Sequence, residues 1–231
     1  MAPMSTSYGQ FCPVAKAAEI LAERWTPLVV RELICGSTTF NDLKRGVPLM
    51  SRTLLANRLR ELERAGVVER RPGTGRSSHT YHLTPAGEEL KPIVLGLGEW
   101  GQRWARGSVT KEDLDPTLLM WDMRRSIAMD RVPDRRTVVH FVFTDVPKTV
   151  PRRTWLVIDQ PDVDVCYKDP GFDVDLIVTT PLKRLIEVWM GDLSFGESLR
   201  DGSMVIEGPR QLASKFPGWL QLSAFATVGR P

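Results

Sequence analysis

Polar side chains at helical spacing carry the chemistry this chain is equipped for. Residues 51–65 read as a helix, with Ser51 as a side-chain N-cap and Gly66 as the stop. Leu54, Leu55, Leu59, Leu62 and Ala65 fall on one arc, which the 3.6-residue period predicts to be buried. Thr53, Ala56, Asn57, Arg60 and Arg64 fall on the opposite arc, with Arg52 at its margin. In a DNA major groove, arginine pairs with guanine and asparagine with adenine, while hydroxyls and further cations meet phosphate. We therefore expect Arg52, Thr53 and Asn57 near base edges, and Ser51 and Arg60 nearer the phosphates. Arg58 faces the apolar arc and is expected to be a structural ion-pair or packing residue.

The elements around this helix must hold it and extend it. Residues 67–71 read as a short strand beginning at two valines, and residues 80–83 as its return. Between them a glycine-rich tip carries Arg76, so Arg70 on the strand and Arg76 at the tip are expected to reach DNA as well. Upstream, residues 13–22 have helical spacing through Val14, Ala17, Ala18 and Leu21. Thr26-Pro27 reads as an N-cap with proline at the first helical position, and Gly36 as the end of that helix. Thr39 to Asp42 opens a third helix with a capping-box pattern, ending near Gly46. Three helices, then a reading helix and a basic hairpin, is the order of a winged helix-turn-helix. Thr84-Pro85 then caps a helix stepping through Leu90, Val94, Leu97, Gly101 and Trp104. Gly96, Gly98 and Gly101 permit close approach of a second helix, so this helix is expected to pair with its copy in a homodimer.

The pattern breaks over 105–116, which divides the chain into domains at 1–107 and 116–231. The second reads as a helix at 116–129 and then strands at 137–143, 154–159, 163–167 and 174–179, separated by turn residues. We expect an antiparallel meander. Thr180-Pro181 caps a helix with Leu182, Leu185, Ile186 and Trp189 on one side, and Ser194 to Glu197 is a second capping box. A strand at 204–207 and a helix after Pro209 follow. The fold class is α+β: a winged helix, then an antiparallel sheet covered on one face by helices.

Charge and composition narrow the partner. Residues 1–110 hold 15 Lys and Arg against 10 Asp and Glu, whereas residues 111–231 hold 16 against 18. Nine basic and three acidic residues lie within 44–76, so the excess falls on the reading helix and hairpin, as a polyanion partner requires. No run of about 18 apolar residues occurs, so no membrane span is expected. The first residues lack the pattern of a secretory signal, and the three cysteines (Cys12, Cys35 and Cys166) build no disulfide framework, so a cytoplasmic location is expected. His79 and His82 lie on a strand without a third ligand nearby in sequence and read as wing surface residues, so no metal is expected. Asp162, Asp164, Asp173 and Asp175 read as a solvated sheet face, with Val163, Val165, Val174 and Leu176 opposite. Cys35 and Cys166 read as small core residues; core filling is the default expectation for the tryptophans, with Trp25, Trp100 and Trp104 filling core or dimer contacts. No nucleophile, acid–base or phosphate-loop pattern is present, so neither an enzyme nor a cofactor is expected.

Residues 12–104 resemble the HxlR family of bacterial winged-helix regulators. The resemblance rests on Cys12-Pro13, Trp25, Arg31-Glu32-Leu33, Gly36, Phe40, Asp42-Leu43, Pro48, Ser51, Leu54, Arg58-Leu59, Leu62, Gly66, Val68, Arg70, Tyr81, Leu83-Thr84, Gly87 and Trp100-Gly101. It implies a homodimer that binds palindromic operator DNA, and it places Cys12 where some relatives carry a redox-sensing thiol. The glycine-rich wing tip departs from the proline-rich tip of many relatives. Residues 116–225 resemble the sterol carrier protein type-2 fold through residues 191–199, Asp201-Gly202 and Ile206-Glu207-Gly208. That resemblance implies an apolar pocket, for which Trp155, Leu156, Ile158, Leu176, Val178, Ile186 and Trp189 are the expected lining. Together these readings describe a dimeric transcriptional regulator controlled by a hydrophobic small molecule. The alternatives are a redox regulator acting through Cys12 and a lipid-binding or carrier protein.

Overall fold

The computed structural model describes residues 7–73 and 78–229. Packing divides the chain into two compact units, Met1–Gly98 and Glu99–Pro231.

The first unit opens with α1 (Pro13–Leu21), α2 (Thr26–Ile34), α3 (Phe40–Gly46) and α4 (Arg52–Arg64). A two-stranded hairpin follows, β1 (Val68–Pro72) and β2 (His79–Leu83), with Arg70 opposite Tyr81. Its core joins Val29, Val30, Leu43, Met50, Leu55, Leu59, Leu62, Val67 and Val68. The start of α2 differs from the expected cap. Trp25, at φ +77°, precedes a helix whose first residue is Thr26, and the Thr26 hydroxyl is buried. The expected box on α3 closes differently too: Thr39 Oγ1 accepts from the Asp42 amide at 3.1 Å and donates back to the Asp42 carboxylate at 2.7 Å. Ala65 is exposed, because the helix has already reached its C-cap there.

The helix expected from Thr84 onward is broken in two: α5 (Pro85–Glu88) and α6 (Lys91–Trp100), followed by a π turn at Gly101–Ala105. Pro92 explains the break, since it has no N–H for the Glu88 carbonyl and its ring crowds that oxygen. Leu90 and Val94 join the core of their own unit. Ile93, Leu97 and Trp100 form an exposed stripe along α6, each more than half exposed. Helix α1 buries no residue; Phe11 ahead of it and Val14 within it are 99% and 75% exposed.

The second unit contains α7 (Pro116–Met123), β3 (Thr137–Phe143), β4 (Arg153–Asp159), β5 (Asp162–Cys166), β6 (Leu176–Thr180), α8 (Leu182–Trp189), α9 (Phe195–Arg200), β7 (Val205–Glu207) and α10 (Arg210–Lys215). The helix expected over 116–129 is shorter, ending at Met123 in 3-10 turns at Arg124–Ser126 and Met129–Arg131. The sheet order is β5-β4-β3-β6-β7, with β6 parallel to β3 and every other pairing antiparallel. The meander is thus corrected to a mixed sheet. A meander would leave β3 at an edge, yet its buried run of Thr137, Val138, Val139, Phe141 and Phe143 demands neighbours on both sides. β6 starts at Leu176 rather than Val174, which is 40% exposed. Asp175 is no solvated carboxylate: it accepts from the Val138 amide at 2.8 Å and from Arg135 at 2.6 Å. The cap of α8 also comes from elsewhere, since the Asp145 carboxylate accepts from the Leu182 and Lys183 amides. The Ser194–Glu197 capping box forms as the spacing predicts.

Candidate nucleic-acid interface

The reading helix is set by its two ends and its buried face. Ser51 Oγ accepts from the Leu54 amide at 3.2 Å, satisfying one of the free N–H groups at the N-terminus. Its O–H remains able to donate outward. Leu55, Leu59 and Leu62 are at most 1% exposed and anchor the helix in the core. Gly66, at φ +71°, turns the chain into the wing. Arg58 bridges Glu23 at 2.7 Å and also pairs with Glu61, so it ties α4 to the segment before α2, as its place on the apolar arc predicts.

The turn ahead of the helix is locked from beneath. Glu32 is fully buried, accepting from Arg31 Nη2 at 2.7 Å and from Ser37 Oγ at 3.2 Å. Arg31 Nη2 also donates to the Gly46 carbonyl at 3.2 Å, which joins the end of α2 to the end of α3. Only glycine fits at position 46, where a Cβ would lie 1.9 Å from the Glu32 carboxyl carbon. Lys44 Nζ donates to the Pro48 carbonyl at 2.7 Å.

On the outer arc, Arg52, Thr53 and Arg60 are exposed and Asn57 is half-buried. Arg52 Nη2 donates to Asn41 Oδ1 at 3.1 Å, and its guanidinium carbon lies 4.9 Å from the centroid of the Phe40 ring. Arg60 folds back along the helix, with Nε donating to the Ala56 carbonyl at 3.4 Å and Nη2 to Asn57 Oδ1. Sequence reasoning missed Phe40 and Asn41. Nothing but their place at the start of α3, next to the reading helix in a helix-turn-helix, could have signalled them.

In the wing, Arg70 is exposed on β1, while Arg71 is engaged with Glu69. Arg76 lies outside the described residues. His79 and His82 bond to the neighbouring hydroxyls of Ser78 and Thr80, both at 3.0 Å, and no group of His, Cys, Asp and Glu gathers for a metal among the described residues. Cys12 is a half-buried free thiol preceding α1. Cys35 corrects its expectation: it is exposed, because it caps α2 where the chain leaves the core. Cys166 is partly buried against Val138, Trp155 and Val157.

In the second unit, Leu156, Ile158, Leu176 and Val178 share the helix-covered face of the sheet with Trp189, and Ile186 packs against the same cluster. Trp155 is the exception. Strand alternation turns it to the opposite face, where it stacks on His140 with centroids 4.4 Å apart, so it cannot line a pocket with the other six. The crevice between Met123, Leu185, Val188, Trp189, Phe195, Leu220 and Leu222 has no room for a water molecule. An open cleft of about 450 Å³ lies elsewhere, lined by Arg124, Arg125, Ile127, Met129, Pro161, Asp162, Val163 and Asp164. No spacing in the sequence announces it, since a 3-10 turn and the β4–β5 turn build it. Burial and the nearby Arg153 hold the His140 imidazole below its ordinary pKa, with Asp169 opposing them.

No helix among the described residues is long and apolar enough to cross a membrane. Residues 20–108 match the family described as HxlR-like helix-turn-helix. The uncharacterized HTH-type transcriptional regulator YvaP of Bacillus subtilis is 38% identical over 98 residues, which are 41% of this chain and 90% of YvaP. A second B. subtilis regulator of that description, YdeP, is 32% identical over 94 residues, 40% of this chain and 73% of YdeP. Among solved structures, the reduced form of the transcriptional regulator YodB from B. subtilis is 28% identical with a TM-score of 0.37, covering 42% of this chain and 97% of YodB. With nearly all of YvaP's length matched by one segment of this chain, and that segment folded as helices, reading helix and hairpin, the chain belongs to the HxlR-like helix-turn-helix family of transcriptional regulators, which are not enzymes.

Proposed function

We propose that the chain acts as a homodimer on palindromic operator DNA, placing one α4 helix in the major groove of each half-site. The observation that carries this reading is the outer arc of α4, where Arg52, Thr53 and Arg60 stand exposed beside Asn57 and next to a wing strand bearing Arg70. Arg52, Thr53 and Asn57 meet base edges. Ser51, with its O–H free to donate at the positive end of a 13-residue helix, meets a phosphate together with Arg60 and Arg70. Arg76 belongs to the same wing contact by its sequence position. Dimerisation is supported by exposed apolar side chains, Ile93, Leu97 and Trp100 on α6 and Phe11 and Val14 at α1, since exposed apolar surface is what partners bury. Two reading helices then lie about one turn of DNA apart.

The second domain, taken as 116–231, is proposed to hold the signal as an apolar molecule among Leu156, Ile158, Leu176, Val178, Ile186 and Trp189. Its support is the sterol-carrier resemblance together with the apolar cluster that these six residues share. Because the crevice beside Trp189 is closed, ligand entry must open the packing there, and that movement is the coupling step. A gel-shift titration on DNA upstream of the protein's own gene, beside Arg52→Ala, tests the DNA-binding reading. Tight, sequence-dependent binding that the variant loses supports it. Binding that ignores sequence refutes it and favours the carrier alternative.

A further inference from the structure

The two asparagines of the reading surface each accept from a neighbouring arginine through the side-chain carbonyl. Arginine has only donors, so the amide atom facing Arg52 in Asn41, and the one facing Arg60 in Asn57, must each be the carbonyl oxygen. This fixes which way each amide points. The Asn57 NH2 group makes no hydrogen bond among the described residues. The Arg60 latch is two-pointed, since Nε also holds the Ala56 carbonyl. Arg52 is likewise braced twice, by Asn41 and by the face of the Phe40 ring.

We infer that α4 presents a surface of hydrogen-bond donors, the Arg52 guanidinium and the Asn57 NH2, and therefore selects guanine over adenine at the positions these two residues meet. The inference rests on the proposed DNA reading and deepens it. Guanine shows two acceptors in the major groove, N7 and O6, whereas adenine shows N7 beside the N6 donor. Bidentate pairing of asparagine with adenine needs the Asn carbonyl to accept from N6. Here one lone pair of that oxygen already accepts from Arg60, and an approaching N6–H donor would meet the Arg60 cation held at the same atom. The adenine preference that asparagine suggests from the sequence is thus reversed by its neighbour one turn on. Phe40 and Asn41 act as positioning residues, holding Arg52 in place without touching DNA.

Selection of binding sites from random duplexes by the full chain tests this, followed by base-analogue replacement in the selected site. The expected site has a fixed guanine in each half. Replacing that guanine by 7-deazaguanine, which lacks the N7 acceptor, weakens binding about tenfold, while inosine, which keeps N7 and O6, leaves it within about twofold. Asn57→Asp exchanges the free donor for an acceptor while keeping a partner for Arg60, and should move the preference at its position toward cytosine, whose N4 donates. Sequence-specific sites carrying adenine at that position, indifferent to 7-deazaguanine, would overturn the inference and leave the DNA reading standing. Enrichment of no sequence at all would overturn both.

Discussion

Replacing Gly46 by alanine tests how the reading helix is held. Gly46 ends α3 and is buried, and its φ lies outside the left-handed region, so backbone freedom is not the reason for glycine. By helix propensity alone, alanine should stabilise the site by up to about 1 kcal/mol. The structure predicts the opposite sign. The new methyl carbon would lie 1.9 Å from Glu32 Cδ and 2.5 Å from its Cγ, so the whole end of that side chain must leave. Glu32 is 0% exposed, and leaving means giving up the bonds from Arg31 and Ser37 inside the core. Hydrogen bonds to a charged group contribute about 1.5–3 kcal/mol each, and disrupting a buried pair costs about 3–5 kcal/mol. A net loss near 3 kcal/mol follows, which for a unit of this size lowers Tm by roughly 15 °C. Thermal unfolding followed by circular dichroism, with the same substitution repeated in a Glu32→Ala background, measures it. There the methyl meets no carboxylate, and most of the penalty should vanish. A loss below about 1 kcal/mol, or an equal loss in both backgrounds, would refute the steric account.

Other expectations are simpler to test. Leu97→Asp puts a charge in the exposed α6 stripe; sedimentation should show a shift from dimer to monomer, with the far-ultraviolet circular dichroism spectrum unchanged because Leu97 is 53% exposed in the single chain. His140 gives the second unit a pH dependence of defined sign. Its imidazole pKa is depressed in the folded state, so the unfolded chain binds the proton more readily, and stability present above about 6.5 is lost as pH falls below that value. His140→Phe, which keeps a ring against Trp155, should flatten chemical-denaturation midpoints between pH 7 and 5 relative to the native protein. An unchanged slope would assign the acid sensitivity elsewhere.

The first unit was largely legible because its signals are local. Apolar spacing locates Leu55, Leu59 and Leu62, and Ser51 and Gly66 mark the ends of α4. Arg58 could be assigned to a structural pair from its arc alone. What escaped depends on contacts distant in sequence or on one residue overriding a pattern. Pro92 breaks a helix whose apolar steps run on through it, so Leu90 and Val94 turn inward while Ile93, Leu97 and Trp100 stay out. Asp145 caps α8 from another element. Strand order in the second unit could not be read from strand spacing, since an antiparallel meander and the observed parallel β3–β6 pairing use the same strands and turns. The face of Trp155 was legible without that register, since it is adjacent to Leu156 in one strand and must point the other way. On the reading surface, the residue types were evident, but the Arg52–Asn41 and Arg60–Asn57 pairs, which decide what those side chains can still bond, are tertiary or rotameric facts.

The most direct test of the central claim compares Arg52→Ala and Arg70→Ala with the native protein on an operator and on scrambled DNA, each titrated across salt. A base contact and a phosphate contact fail differently. Arg52→Ala should weaken operator binding by about tenfold or more while scarcely changing binding to scrambled DNA, collapsing the ratio between them. Arg70→Ala should weaken both alike and reduce the slope of log affinity against log salt by about one. Equal effects of the two substitutions, or discrimination that survives Arg52→Ala, would contradict the assignment of α4 as the element that reads sequence.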